Sequence, residues 1–415
     1  MTAVESTPDL EAPSVSSAVS DYVARVRGGD VGALPAVLGL VVLVVVFASL
    51  RPDTFTNSYN FANLLHQAAA LIVIAMGLVF VLLLGEIDLS AGYAAGVSAA
   101  VLGSVLTRHG QPWYVAVLAG LATGAVIGAC IGVLVSRLGI PSFVVTLAAF
   151  LGLQGVLLKI VGDGGSIRVA DKRLVDLNNA NLPVWAGWAL LAVVIGGYAA
   201  VSLSKAASRR KDGLTADAMT VVLAKVGLLT VLLGAATVYL SRERSRNAAL
   251  SSIKGVPQVV VLLLVLLVVL NFLLGRTAFG RHVYAVGGNA EAARRAGIDV
   301  PRVRLLCFVI CSSLAAIGGL LLASYDNSVS PTTGGSDTLL YAVGAAVIGG
   351  TSLFGGKGKV MDAVLGGMVI AVILNGMLLL GKKSSVVYMV TGVVLLIAAS
   401  VDAISRRRAA ATGRV

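Results

Sequence analysis

Charge is scarce along this chain, and so are the side chains that do covalent chemistry. Only 13% of the 415 residues are charged, against 57% hydrophobic, and the mean hydropathy is +0.93. A soluble domain carries roughly a quarter of its residues as charges, so a soluble core is excluded and a chain facing lipid is implied. The three histidines, His66, His109 and His282, fall in different segments, and the three cysteines, Cys130, Cys307 and Cys311, all lie in apolar runs. Neither set has metal-ligand spacing, and the cysteines read as small core residues. No HExxH, GxSxG elbow or kinase signature is present. The nearest approach to a phosphate-binding loop, GGTSLFGGKGK at Gly349 to Lys359, has the wrong glycine spacing, and Lys357 is followed by Gly358 instead of Ser or Thr. No catalytic residue, bound metal or cofactor is expected, and any energy from ATP has to be supplied by another subunit.

What is abundant is apolar sequence. Runs near 33–50, 62–84, 91–107, 113–135, 142–161, 184–204, 219–240, 256–275, 303–323, 338–351, 360–380 and 385–402 predict an all-α, polytopic transmembrane helical bundle of about ten to twelve spans. The runs at 91–107 and 338–351 are candidates for half-helices or re-entrant pieces lining a cavity. Residues 1–30 read as a disordered cytosolic tail without the pattern of a cleaved signal, 31–403 as the membrane domain, and 404–415 as a basic cytosolic tail. Lys205, Arg209, Arg210 and Lys211, with Arg406, Arg407 and Arg408, place both termini on the cytosolic side of the cell membrane. Arg242, Arg244, Arg246, Lys254, Lys172, Arg173, Lys382 and Lys383 then face outward and count against that orientation. A net charge of +12 suits anionic lipid and requires no nucleic acid. Gly120, Gly124, Gly128 and Gly132 recur every four residues and make a smooth helix face, for packing inside the bundle or for a dimer contact.

A basic segment, GRTAFGRHVYAVGGNAEAARRAGIDVPRVR, separates two long apolar runs at Gly275 to Arg304. Within it Asn289 can cap a short helix with Glu291 in its first turn, Arg294 and Arg295 in its last, and Gly297 as its stop. Pro301 is expected to keep this helix apart from the next span. The element reads either as a docking piece for a soluble partner or as a plain positive-inside loop. The ionisable residues that could sit deep in the membrane are Glu86, Asp88, His66, Lys225 and Asp362; Lys225 can snorkel, Asp362 sits near a span start and His66 reads as a packing or interfacial residue, which leaves Glu86 and Asp88 in the Gly-flanked break GEIDLSAG. Asp88 or Ser90 can cap a restarting helix there, or the pair can line a substrate path.

Four segments together, GEIDLSAG at Gly85, PSFVVTLAAFLGLQG at Pro141, GRHVYAVGGNAEAARRAGI at Gly280 and VIGGTSLFGGKGKV at Val347, resemble the ribose and xylose-type sugar permeases of bacterial ATP-binding-cassette importers. The resemblance runs from about residue 55 to 402 in the right order. Related ribose permeases commonly read GGIDLS, so Glu86 adds a charge, and the longer stretch from about 184 to 255 is similar to the xylose branch. The resemblance implies a paired permease (a second copy of this chain), a separate ATPase subunit beneath it and an extracytoplasmic sugar-binding protein above it. Alternating access would be driven through the segment that matches the coupling region, with Asn289, Ala290, Glu291, Ala292, Ala293, Arg294, Arg295 and Gly297 at the ATPase. Arg281 would join its rim, and the Gly349–Gly358 loop would be a second contact, a cavity-lining turn or a turn with no binding role. Asp88 and Ser90, with Asp326 and Asn327 near the outer mouth, are the expected substrate path, because sugars are read by hydrogen bonds to hydroxyls. The rival classes are an ion-coupled carrier acting alone and a membrane enzyme using a lipid-linked sugar.

Overall fold

The computed structural model describes residues 32–211, 219–245 and 252–411. The expected N-terminal tail, Arg246 and residues 412–415 lie outside them.

Contacts divide the chain into two units, 32–181 with 257–404, and 182–256 with the chain ends. The larger begins with α1 (Leu34–Leu50), α2 (Pro52–Phe55), α3 (Ser58–Leu83) and α4 (Ala91–Gly103). A π-helical turn (Ser104–Arg108), α5 (Trp113–Ser136), α6 (Ser142–Val161), β1 (Ile167–Arg168) and α7 (Lys172–Asn179) follow. The smaller unit holds α8 (Val184–Lys211) and α9 (Met219–Leu240). The chain then continues through α10 (Val259–Arg276), α11 (Ala278–Gly288), α12 (Ala290–Arg295), α13 (Val300–Asp326), β2 (Ser328–Val329), α14 (Ser336–Gly349), α15 (Val360–Leu379) and α16 (Ser384–Ala411).

Eight of these helices, α3, α5, α6, α8, α9, α10, α13 and α15, are long and apolar enough to cross a bilayer, and α1, α14 and Ser384–Ile397 of α16 are shorter apolar helices. The result is an all-α polytopic bundle. α14, at 14 residues, rises about 21 Å and stops short of a hydrocarbon core about 30 Å thick. α4 has 13 residues before its π-helical turn. Both are preceded or followed by irregular backbone, which survives at membrane depth only when packed in protein; Asp88, Ser90, Thr351 and Ser352 are all buried there.

α3 is the centre of the larger unit. Its apolar stretch is 83% buried, against 22% for α6 and 17% for α10, which leave valines and leucines exposed. The glycine stripe of α5 is consumed inside the bundle: an added Cβ at Gly124 would lie 2.6 Å from the Ser312 carbonyl and at Gly128 2.5 Å from the Phe308 carbonyl, both on α13. This is the packing use of the stripe, in which small residues let two backbones approach. Cys307 and Cys311 are buried on α13, as expected, but Cys130 is exposed, two residues beyond Gly128 and off the packed face.

The short helix α12 and the next span α13 are separate, as expected; Pro301 stands in the first turn of α13, where its missing N–H costs nothing, and Asp299 caps that helix by accepting from Arg302 N at 3.0 Å. Two short helices, α7 and α11, were not expected at all. Each is amphipathic, with a side-chain cap from Asp171 or Thr277, and neither contains an apolar run that a span search detects.

In the smaller unit the loop after α9 is tied down by its own charges. Arg244 is buried, its guanidinium donating to the carbonyls of Leu240 at 2.7 Å and Gly255 at 2.9 Å. Glu243 accepts from the Ser252 hydroxyl, Ser245 N and Ile253 N and lies 3.4 Å from Lys254, interactions that hold its carboxyl down at about 2.

Candidate coupling site

The four family-like segments meet around one break in the backbone, Leu84–Ser90, between α3 and α4. α3 ends with carbonyls that have no partner within the helix. One of these, Leu83 O, accepts from Gly356 N at 2.9 Å in the glycine-rich loop. The end of α11 fits against the same spot: a Cβ on Gly287 would stand 1.8 Å from Leu83 O and 2.9 Å from Gly356 N, and one on Gly355 would stand 2.8 Å from Gly287 O and 2.9 Å from Gly85 N. Three glycine-bearing backbones therefore touch with no side chain between them. From α6, Thr146 Oγ1 donates to Ile87 O at 3.2 Å.

The glycine-rich loop is braced on its far side. Asp362 Oδ2 accepts from Lys359 N at 2.7 Å and Thr351 Oγ1 at 3.1 Å, and the Tyr284 hydroxyl on α11 donates to Gly358 O at 2.8 Å. Burial, and after it the charge of Asp362, pushes the Tyr284 phenol up, so it stays a protonated donor. Phe354 projects from the loop 70% exposed.

α12 forms between this junction and α13. Asn289 is extended, and its side chain accepts from Ala292 N at 2.9 Å. At the other end Ile298 N reaches Ala293 O and Gly297 N reaches Arg294 O, each at 3.0 Å, with Gly297 at φ +84°, the left-handed stop that glycine adopts freely. Glu291 pairs with Arg294 at 3.2 Å and Arg295 at 3.3 Å, and all three side chains are more than half exposed. Asn289, Ala292 and Gly297 are exposed and Ala290 half-buried, whereas Ala293 is turned inward at 4% exposure and seats the helix. One turn into α13, Arg304 reaches back to Glu86 at 3.2 Å, joining the start of α13 to the α3–α4 break.

Asp88 and Ser90 lie together in that break with no solvent exposure. Asp88 Oδ1 accepts from Ser90 N at 2.8 Å and Ser90 Oγ at 2.6 Å, and Ser90 O begins α4 by accepting from Ala94 N. The geometry is that of a capping turn. Asp326 and Asn327 are exposed at the far end of α13, where Asn327 takes a left-handed φ of 55° and passes its carbonyl to Val169 N. The structure thus makes two separate pairs of these four residues. Arg304 was not singled out among the candidates, because its partner is distant in the sequence.

Residues 60–399 match the family model described as branched-chain amino acid transport system / permease component. The chain is 34% identical over 373 residues to the xylose transport system permease protein XylH of Escherichia coli, covering 90% of this chain and 92% of that protein. It is 32% identical to the xylose transport system permease protein of Haemophilus influenzae, covering 89% and 96%, and 28% identical to the ribose import permease protein RbsC of Escherichia coli, covering 88% and 92%. No solved structure matches the chain. With most of its length matched by one family and nearly full-length alignment to permeases, the chain belongs to this family of transport-system permease components.

Proposed function

We propose that this chain is the membrane-spanning permease subunit of an ATP-binding-cassette importer that moves a monosaccharide, xylose or a similar sugar, by alternating access. The sugars in the relatives' names support the substrate class. The observation that carries the mechanism is the tie between α12, an exposed and self-capped helix, and the α3–α4 break, through glycine backbones and the Glu86–Arg304 pair. A separate ATPase subunit docks on α12 and Phe354, an extracytoplasmic sugar-binding protein delivers the sugar at the opposite end, and a second copy of the chain completes the pathway within the lipid.

The termini are cytosolic in this arrangement. Several basic residues that count against it are engaged locally: Arg244 on carbonyls, Lys254 with Glu243, Lys172 with Asp176 at 2.7 Å, and Arg173 over the Trp113 ring at 5.7 Å. Asp88 and Ser90 serve the sugar path by holding the α3–α4 break, and Asp326 and Asn327 stand at its outer mouth. Removing the Asp88 carboxylate leaves Ser90 N and Oγ without an acceptor, a cost of about 1–3 kcal/mol. Asp88→Ala is expected to lower uptake without loss of the protein from the membrane, measured as sugar counts per unit of immunodetected permease; wild-type uptake would reduce Asp88 to a dispensable cap.

Exposed ion pairs such as Glu291 with its two arginines contribute about 0–1 kcal/mol to stability, so Glu291 matters to a partner more than to the fold. Glu291→Arg and Gly297→Pro are expected to abolish sugar-stimulated ATP hydrolysis by the reconstituted complex while membrane insertion stays intact. Unchanged stimulation in both variants would remove α12 from the ATPase interface. For the function as a whole, uptake into proteoliposomes should require the ATPase and resist an uncoupler. Uptake that persists without the ATPase and collapses with the uncoupler would identify an ion-coupled carrier instead.

A further inference from the structure

At the end of α3 remote from α12, the helix carries three amides and an imidazole before turning wholly apolar at Ala68, and a fourth amide, Asn375, reaches them from α15. Two of the amides lie on one framework: Asn60 Nδ2 donates to Asn375 Oδ1 at 2.9 Å and to Phe55 O at 3.1 Å, and Asn375 Nδ2 returns to Asn60 Oδ1 at 3.0 Å. Both residues are buried, and their hydrogen-bonding capacity is largely used within the protein. The other two differ. Asn63 Oδ1 accepts from the Tyr325 hydroxyl at 3.2 Å and Gln67 Oε1 from Asn375 Nδ2 at 3.3 Å, so their oxygens are fixed. Among the described residues, the Asn63 and Gln67 NH2 groups donate to no protein atom, and both side chains are partly exposed.

Gln67 stands about 14 Å along α3 from its first residue, at 1.5 Å per residue, on a helix of 26 residues that is long and apolar enough to cross a bilayer. An amide with idle donors at that depth belongs in a polar path and not against lipid tails. α3 has the highest buried share of the long helices, and Asn63 and Gln67 near its start leave a partly exposed face on it. Asn63 and Gln67, at i and i+4, share that face. We propose that Asn63 and Gln67, with the Tyr325 hydroxyl, form an uncharged binding step for a polyhydroxylated ligand, a monosaccharide in passage. The step deepens, and rests on, the sugar-importer reading. Amide N–H groups donate to sugar hydroxyl oxygens, and a neutral site of two or three such bonds holds the sugar weakly enough to release it.

The test uses the complete importer in proteoliposomes with radiolabelled D-xylose and D-ribose, and Asn63→Leu, Gln67→Leu and the near-isosteric Gln67→Glu. Loss of one such hydrogen bond should lower sugar moved per ATP about tenfold, while sugar-stimulated ATP hydrolysis and the melting temperature of the complex stay near wild type. A merely structural amide cluster would instead lower melting and both activities together. In a Cys130→Ser background, Gln67→Cys should react with a charged, membrane-impermeant thiol reagent, more slowly when D-xylose is present. Unchanged uptake in all three variants, or modification indifferent to either sugar, overturns the site while wild-type transport stands. Failure of the wild type to take up either sugar overturns the importer reading and this ligand with it.

Discussion

Gly287→Ala is expected to cut sugar uptake tenfold or more, whereas Gly288→Ala, one residue on, leaves it near wild type. The contrast comes from what each added methyl would meet. At Gly288 there is nothing within 4 Å, while at Gly287 the methyl lands 1.8 Å from the Leu83 carbonyl. That carbonyl is the one Gly356 N holds at 2.9 Å, so the methyl enters the space of an existing backbone hydrogen bond. Neither obstacle is a flexible side-chain tip that can rotate away; one is the end of α3 and the other a loop braced by Asp362 and Tyr284. Overpacking of this kind costs about 1–3 kcal/mol, and about 1.4 kcal/mol is already a factor of ten in a rate or population. Relief requires α11 to move off α3, which separates α12 from the break it is proposed to drive. The informative measurement is sugar moved per ATP hydrolysed at matched permease levels. Equal ratios for the two alanine variants would mean that the junction is not the route of transmission.

The contrast between α12 and its surroundings shows what the sequence discloses. The cap at Asn289, the charge gradient from Glu291 to Arg295 and the stop at Gly297 all act within nine successive positions, and local rules suffice to read them. The same rules failed on α11, which looked like loop because GRHVYAVGG mixes glycine, charge and apolar residues, although its buried positions Gly280, Val283 and Val286 have helical spacing. The glycines of GGTSLFGGKGK left three readings open, since their purpose lies in Leu83 and Gly287, far away along the chain. Asp88 could be read as a cap or as part of a substrate path, and only the partner atoms show its Oδ1 turned onto Ser90. Asn63 and Gln67 drew no attention because they open an apolar run, and only the partner atoms show which amides are satisfied. Composition made the bundle legible; what the buried polar groups do depends on long-range neighbours.

Glu86 and Arg304 give the sharpest test of whether those long-range contacts carry force. Their side chains are 15% and 31% exposed and stand 3.2 Å apart, more sheltered than the pairs on α12. Water screens such a pair less than an exposed one. Arg304 lies one turn past the Asp299 cap, so on the proposed coupling a push on α12 through Gly297 and Asp299 would tip the start of α13 and Arg304 with it. Glu86 belongs to the irregular backbone next to Ile87 and Asp88, which sets where α4 begins. Charge reversal at either residue places like charges together, a repulsion of about 4 kcal/mol at 4 Å and an effective dielectric of 20, from which the side chains recover part by swinging apart. Glu86→Arg and Arg304→Glu are each expected to lower uptake about ten- to hundredfold, a cost of about 1.4–3 kcal/mol, with ATP hydrolysis falling less. The double reversal restores opposite charges across the same gap and should recover most of the uptake, because the pair needs attraction and not a given polarity. Recovery in the double variant separates transmission from simple damage, since two independent lesions would add. If the double variant transports no better than the worse single one, Glu86 and Arg304 do not act as a pair, and the force from α12 has to travel through the glycine backbones alone.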